Sequence, residues 1–256
     1  MHDLQDGLQD MLSLHKEIRK LASPARAKSN AWFFKSGPGQ YGEGDEFIGL
    51  SVPACRTIVK QFSHISLPQV QMLLNSPIHE KRLIALLILV AAYKAAEKKE
   101  DEETKKRIFN FYLENARRGR INNWDLVDSS AHIIVGGYLA DKERSLLARL
   151  ARSKNLWERR IAIVGSGQFI RNHDFKDTLA LADLLLEDTH DLIHKATGWM
   201  LREVGKRDKK ALERFLDEHA HHMPRTMLRY AIEKFDEEKK KFYMLKKDMM
   251  RKNNKK

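Results

Sequence analysis

From Ser51 onward the chain reads as helix after helix, with no run of alternating β-branched residues bounded by turns that would make a strand. That pattern confines the fold to the all-α class before any other feature is weighed. The punctuation agrees. Pro53 and Pro68 stand where first helical turns should be, and Asn75-Ser76-Pro77 reads as a cap followed by proline at the first helical position. Ahead of Ser51, apolar residues recur at helical spacing (Leu4, Leu8, Met11, Leu12, Ile18, Leu21), which predicts an amphipathic opening helix. Ser23-Pro24 starts a second helix that carries Trp32, Phe33 and Phe34 towards its end. Residues 36–45 contain four glycines and one proline and break any helix. The Gly-Lys-Ser/Thr ending of a phosphate-cradling loop is missing, so this segment is read as a connector.

The second half is weakly self-similar. Leu156-Trp157-Glu158-Arg159-Arg160 aligns with Leu192-Ile193-His194-Lys195 and with Thr226-Met227-Leu228-Arg229, setting Arg160, Lys195 and Arg229 at intervals of 35 and 34 residues. A period in this range means stacked helical pairs, none of which buries its apolar face alone. The tetratricopeptide signature is absent, which favours irregular HEAT-like pairs. Stacking them makes a curved solenoid, and a basic residue at one repeat position would line its concave face.

The 256 residues, 42% hydrophobic and 32% charged, are those of a soluble globular protein, taken here as one domain over 1–236 followed by a basic tail over 237–256. Cys55 is the only cysteine, which excludes an intrachain disulfide or a cysteine-based zinc site. Residues 1–10 have neither a basic nor an apolar leader region, so the expected location is cytoplasmic. The longest apolar run, 83–93, has 11 residues against the roughly 20 that span a bilayer, and reads as a buried helix with no membrane role. A net charge of +12 points to a polyanionic partner, but half of it, +6, sits in 237–256.

One stretch combines an aromatic plane with acid: Asn122-Asn123-Trp124-Asp125-Leu126-Val127-Asp128. Side chains four apart share a helical face, so Trp124 and Asp128 can address one ligand. Asn122 or Asn123 caps the helix, and Asp125 suits its first turn. The plain alternatives are a core aromatic for Trp124 and a salt bridge to a neighbouring repeat for Asp128.

Together with Leu156-Trp157-Glu158-Arg159-Arg160 and Lys195-Ala196-Thr197-Gly198-Trp199-Met200-Leu201-Arg202-Glu203, this stretch resembles the DNA alkylation repair family typified by the AlkD glycosylases. The likeness runs in order over roughly residues 20 to 235. It implies a right-handed α-solenoid of HEAT-like repeats whose concave basic groove holds duplex DNA, acting as a monomer. It also implies a monofunctional DNA glycosylase that hydrolyses the N-glycosidic bond of cationic N3- or N7-alkylated purines in base excision repair, without conventional base flipping. No metal or other cofactor is expected. By this resemblance Trp124 and Trp199 pack against the lesion nucleotide, Asp128 is the catalytic aspartate, and Arg160 engages the DNA backbone. Two departures stand out: the Gly-rich insertion between Trp32 and Pro53, and an opening-helix aromatic that is Phe33 or Phe34.

The chemistry suits those residue types. N3- or N7-alkylation makes the purine cationic and a good leaving group, and its departure builds oxocarbenium charge at the sugar. A carboxylate stabilises that charge, and aromatic faces attract cations by roughly 0.5 to 2 kcal/mol each. Arg202 and Lys206 join Arg160 as candidate phosphate contacts, each open to a salt-bridged reading. Trp157 is assigned to packing. His219, His221 and His222 lack a convincing further metal ligand and are read as an exposed helix end. The family likeness also leaves a non-catalytic module for branched or distorted DNA as the alternative, and a scaffold for an acidic protein as a third.

Overall fold

The structure, a computed structural model, describes the backbone of residues 2–253 and the side-chain surroundings of residues 7–246. Leu4 and the last ten residues of the basic tail lie outside the described side chains. The fold is all-α: among the described residues the nearest approach to a sheet is one isolated parallel bridge between Glu46 and Ile78. No helix among them is long and apolar enough to cross a membrane. The chain divides into two compact units, Met1–Ser130 and Ala131–Lys256.

The first unit holds α1 (His2–Leu21), α2 (Pro24–Phe33), α3 (Val52–Phe62), α4 (Leu67–Leu74), α5 (His79–Lys98), α6 (Glu102–Arg117) and α7 (Trp124–Asp128). α5, which carries the long apolar run, is its centre and packs on α3, α4, α6 and α7. Leu83, Ile84, Leu86, Ile88, Leu89 and Tyr93 are buried along it. The helix starts follow the expected chemistry at Ser23 and Ser51, whose side chains accept backbone N–H groups just ahead of proline-bearing first turns, and at Ser66, whose N–H and hydroxyl donate to the Gln69 side chain (2.7 and 2.8 Å). In α1 the buried face is Met11, Leu14 and Ile18, spaced three and four apart, whereas Leu8 and Leu12 face solvent.

The start of α5 departs from the reading of Asn75-Ser76-Pro77. The helix begins two residues after Pro77, at His79, with Ile78 at the cap position and no side-chain cap. The cause is the bridge: Glu46 N–H donates to Pro77 O (3.0 Å) and His79 N–H to Glu46 O (2.8 Å), which holds 77–78 extended alongside the Gly-rich loop. Glu80 then reaches back, accepting from Gly49 N (2.8 Å), Ile48 N (3.2 Å) and Asn30 Nδ2 (3.3 Å). Gly49 sits at φ +79°, and a Cβ there would overlap Ser23 O and Ala27 N, so only glycine lets the loop lie this close to α2.

The second unit holds α8 (Ala131–Tyr138), α9 (Ser145–Ala151), α10 (Leu156–Gly165), α11 (Gly167–Arg171), α12 (Lys176–Leu184), α13 (Asp191–Arg207), α14 (Lys209–His219), α15 (Arg225–Ala231) and α16 (Glu237–Asn253). The interval seen in the sequence has a structural meaning. Arg160, Lys195 and Arg229 lie on α10, α13 and α15, and α10 packs on α13 as α13 packs on α15. Gly198 permits the tighter of these approaches, because a Cβ there would overlap Met227 O. The three basic residues do not share one environment: Arg160 is buried, Lys195 pairs with Asp191 at 2.7 Å, and Arg229 is exposed.

Residues set apart as a tail begin as α16, whose first turns dock on this unit. Tyr243 is buried in a core cluster with Phe215 and Phe235, and its hydroxyl donates to Asp217 (3.3 Å). Lys246 donates to Asp217 O (2.7 Å) and Lys239 pairs with Glu213. Some of the tail's charge is thus engaged within the fold.

Candidate active site

α7 is only five residues long, and its orientation is set by its ends. Asn123, wholly buried, caps it by accepting from Trp124 N (2.9 Å), while the Asn123 and Asn122 amides donate to the two Asp45 oxygens at 3.3 and 3.2 Å. Asp125 accepts from Leu126 N (2.9 Å) through one oxygen and meets His79 through the other. Leu126 and Val127 are buried beneath. Trp124 and Asp128 therefore project together, and both line a cleft of about 430 Å³ with Phe33, Phe34 and Asp125. The exposed Arg26 and Arg56 line the same cleft.

Under the cleft lies a charged network that the sequence did not announce. Each ring nitrogen of His79 faces a carboxylate, Nδ1 at 3.0 Å from Asp45 Oδ2 and Nε2 at 2.8 Å from Asp125 Oδ2. Ionised carboxylates only accept, so both nitrogens donate and the ring is an imidazolium. Burial alone would push its pKa down; the charge and hydrogen bond of Asp125, then those of Asp45, outweigh this and raise it to about 9. For Asp45, burial alone would raise the pKa, but the His79 hydrogen bond and the Arg82 guanidinium at 2.5 Å hold it below the usual carboxylate range. Cys55, on α3, has its thiol pushed up to about 12, chiefly by burial and then by the charges of Glu80 and Asp125.

Ring planes continue upward from the imidazolium. Phe34 lies 4.7 Å from His79 and stacks on Trp124 at 5.4 Å and 21°, Phe47 stacks on His79 at 5.0 Å, and Phe33 meets Trp124 edge-on at 5.9 Å. The Gly-rich connector thus delivers Asp45 and Phe47 to the site, and Asp125 does more than suit a helix start. Asp45, Phe47, His79 and Arg82 were missed because their contacts close over long separations. The one legible hint was a histidine followed by three charged residues, Glu80, Lys81 and Arg82, ahead of the long apolar run.

The remaining candidates lie in the second unit. Trp199, half-buried on α13, lines a cleft of about 230 Å³ with His132, Met200, Glu203 and Arg207. Arg160, 4% exposed, donates to Leu192 O at the start of α13. Arg202 pairs with Glu233, and Lys206 with Glu203 at 2.6 Å. Burial would raise the Glu203 pKa, but Lys206 and Arg207 lower it on balance. Trp157 is buried on α10, and His221 and His222 contact each other at 3.2 Å. Among the described residues no group of three or more His, Cys, Asp or Glu could hold a metal ion.

Among solved structures the chain is similar to one described as a predicted DNA alkylation repair enzyme from Enterococcus faecalis. The identity is 15%, the match covers 84% of this chain and 97% of that one, and the TM-score is 0.62, a likeness of fold. No curated protein matches the chain. A family model described as DNA alkylation repair enzyme matches residues 14–235, a span that takes in the Trp124 and Asp128 cleft and the repeat helices α10, α13 and α15. By that match over most of its length, the chain belongs to the DNA alkylation repair enzyme family.

Proposed function

We propose that the chain is a monofunctional DNA glycosylase that hydrolyses the N-glycosidic bond of cationic N3- or N7-alkylated purines in duplex DNA, without conventional base flipping. The observation that carries this reading is the cleft in which Trp124 and Asp128 stand together with Phe33 and Phe34. A cationic nucleotide meets aromatic faces and a carboxylate in one place, which suits both the charged lesion and the sugar cation that forms as the base leaves. Asp128 stabilises the developing charge and orients the attacking water, while Trp124 packs on the deoxyribose. Trp199 supplies a second aromatic contact from α13.

Contacts to the DNA backbone belong to Arg202 and Lys206 in the same proposal, while the buried Arg160, expected from the resemblance to touch the backbone itself, supports them from inside the fold. Lys206, 41% exposed, exchanges Glu203 for a phosphate, and Arg160 acts from behind by holding the Leu192 carbonyl at the start of α13. A family name does not decide chemistry, so the test is direct. Purified protein releases 3-methyladenine or 7-methylguanine from methylated duplex DNA, and Asp128→Asn slows release by about 100-fold or more while DNA binding persists. Unchanged release by Asp128→Asn refutes the mechanism. Salt-dependent binding with no release by the native protein selects the non-catalytic module for branched or distorted DNA.

A further inference from the structure

We propose that His79 is a positioning residue for this site: clamped between Asp45 of the Gly-rich loop and Asp125 of α7, it fixes the plane of Trp124 through Phe34 and neutralises Asp125. The inference deepens the glycosylase reading and rests on it for its catalytic consequence alone.

Three observations support it. The first is the two-sided clamp, Nδ1 to Asp45 and Nε2 to Asp125, made by a side chain only 2% exposed. The second is the column above it, in which the imidazolium lies against Phe34 and Phe34 lies against Trp124 with planes 21° apart. The third is a difference between the two carboxylates. Asp45 keeps Arg82, Asn122 and Asn123 as further partners, whereas the Asp125 oxygen facing the ring has His79 as its hydrogen-bond donor. Loss of one ring proton leaves a single N–H for two carboxylates, so one side of the clamp opens. If it opens towards Asp125, α7 loses one of the ties that orient Trp124 and keeps those of Asn122 and Asn123 to Asp45.

The charged and titratable groups around the ring come from every element packed on it. They are Glu80 and Arg82 on α5 itself, Asp125 and Asp128 from α7, Asp45 from the loop, and Cys55 from α3. Arg26 from α2 and Arg56 from α3 line the cleft beside it. Within this set Asp45 is held low, Cys55 is pushed up to about 12, and His79 changes charge at about 9.

The test needs no folded His79 variant. The Trp124 signal, taken as native protein minus Trp124→Phe in emission and near-ultraviolet circular dichroism, is followed from pH 7 to 10 beside the His79 ring resonance. The two should titrate together near 9. In Asp125→Asn, which keeps the Asp45 and Arg82 side of the clamp, the Trp124 transition should move to lower pH or vanish. A Trp124 signal that stays flat while the His79 resonance titrates overturns the proposal. On methylated DNA, Asp125→Asn should lower kcat by about tenfold with KM little changed, as expected for a supporting partner. An unchanged kcat overturns the catalytic part. If the native protein releases no base, the glycosylase reading fails, while the spectroscopic result still judges the role of His79.

Discussion

Raising the pH from 6.5 to 9 should destabilise the first unit by an amount calculable from one residue. In the unfolded chain His79 titrates near its ordinary 6.5; folded, between Asp45 and Asp125, it titrates at about 9. The folded pKa is raised, so the contribution is fully present below about 6.5 and is lost as pH rises towards 9. At about 1.4 kcal/mol per pH unit the loss by pH 9 is about 3 kcal/mol. One group of the first unit works the other way near the top of the window: Lys81 is lowered by burial and then by Arg19, so its contribution rises as pH approaches its ordinary 10.5. His15, His190 and His222 are lowered chiefly by burial, so their contributions change below 6.5. Burial holds the Cys55 thiol up to about 12, and it adds a further loss only above its ordinary value of 9.0. Urea denaturation followed by tryptophan emission reads the change. With urea slopes of roughly 1 to 3 kcal/mol per molar, the midpoint of the transition sensed by Trp124 should fall by about 1 M or more. In Asp125→Asn the same pH step should have a much smaller effect. A midpoint that is level or rises between pH 6.5 and 9 refutes the assignment of an imidazolium to His79.

Two further outcomes follow from the packing. Gly49→Ala should lower stability by about 2 to 4 kcal/mol in the same denaturation assay, because it meets both a left-handed backbone and the Ser23 carbonyl. Arg160→Ala should destabilise the second unit by about 1 to 3 kcal/mol through loss of a buried charged hydrogen bond to Leu192 O, measured by calorimetry without DNA; an unchanged transition would show the guanidinium contributes little there.

The helical class and the Trp124 and Asp128 pair were legible because both are local signals. Apolar periodicity marks α5, and a four-residue spacing on one short helix needs no knowledge of the rest of the chain. The Asp45, His79 and Asp125 network is of another kind. Its hydrogen bonds join residues 34 and 46 positions apart, and the loop that carries Asp45 has a composition that says only where a helix stops. Asp125 was fully accounted for by its helix start, which concealed its second partner. Charge misled in the same way: Arg160 reads as a surface cation, yet the interval that places it against α13 also buries it. The match of that interval to α10, α13 and α15 was the one long-range feature visible in advance, because repetition writes tertiary contacts into local sequence.

The Gly-rich loop divides into two parts with different freedom to change length. Residues 38–40 are exposed at its tip, while from Asp45 to Gly49 nearly every position is tied down, Asp45 to His79, Glu46 to Pro77 and His79, Ile48 and Gly49 to Glu80. The tip is a place where segments can be inserted, swapped or trimmed with the ring column left standing, whereas one residue added or lost after Asp45 shifts every one of those pairings out of register.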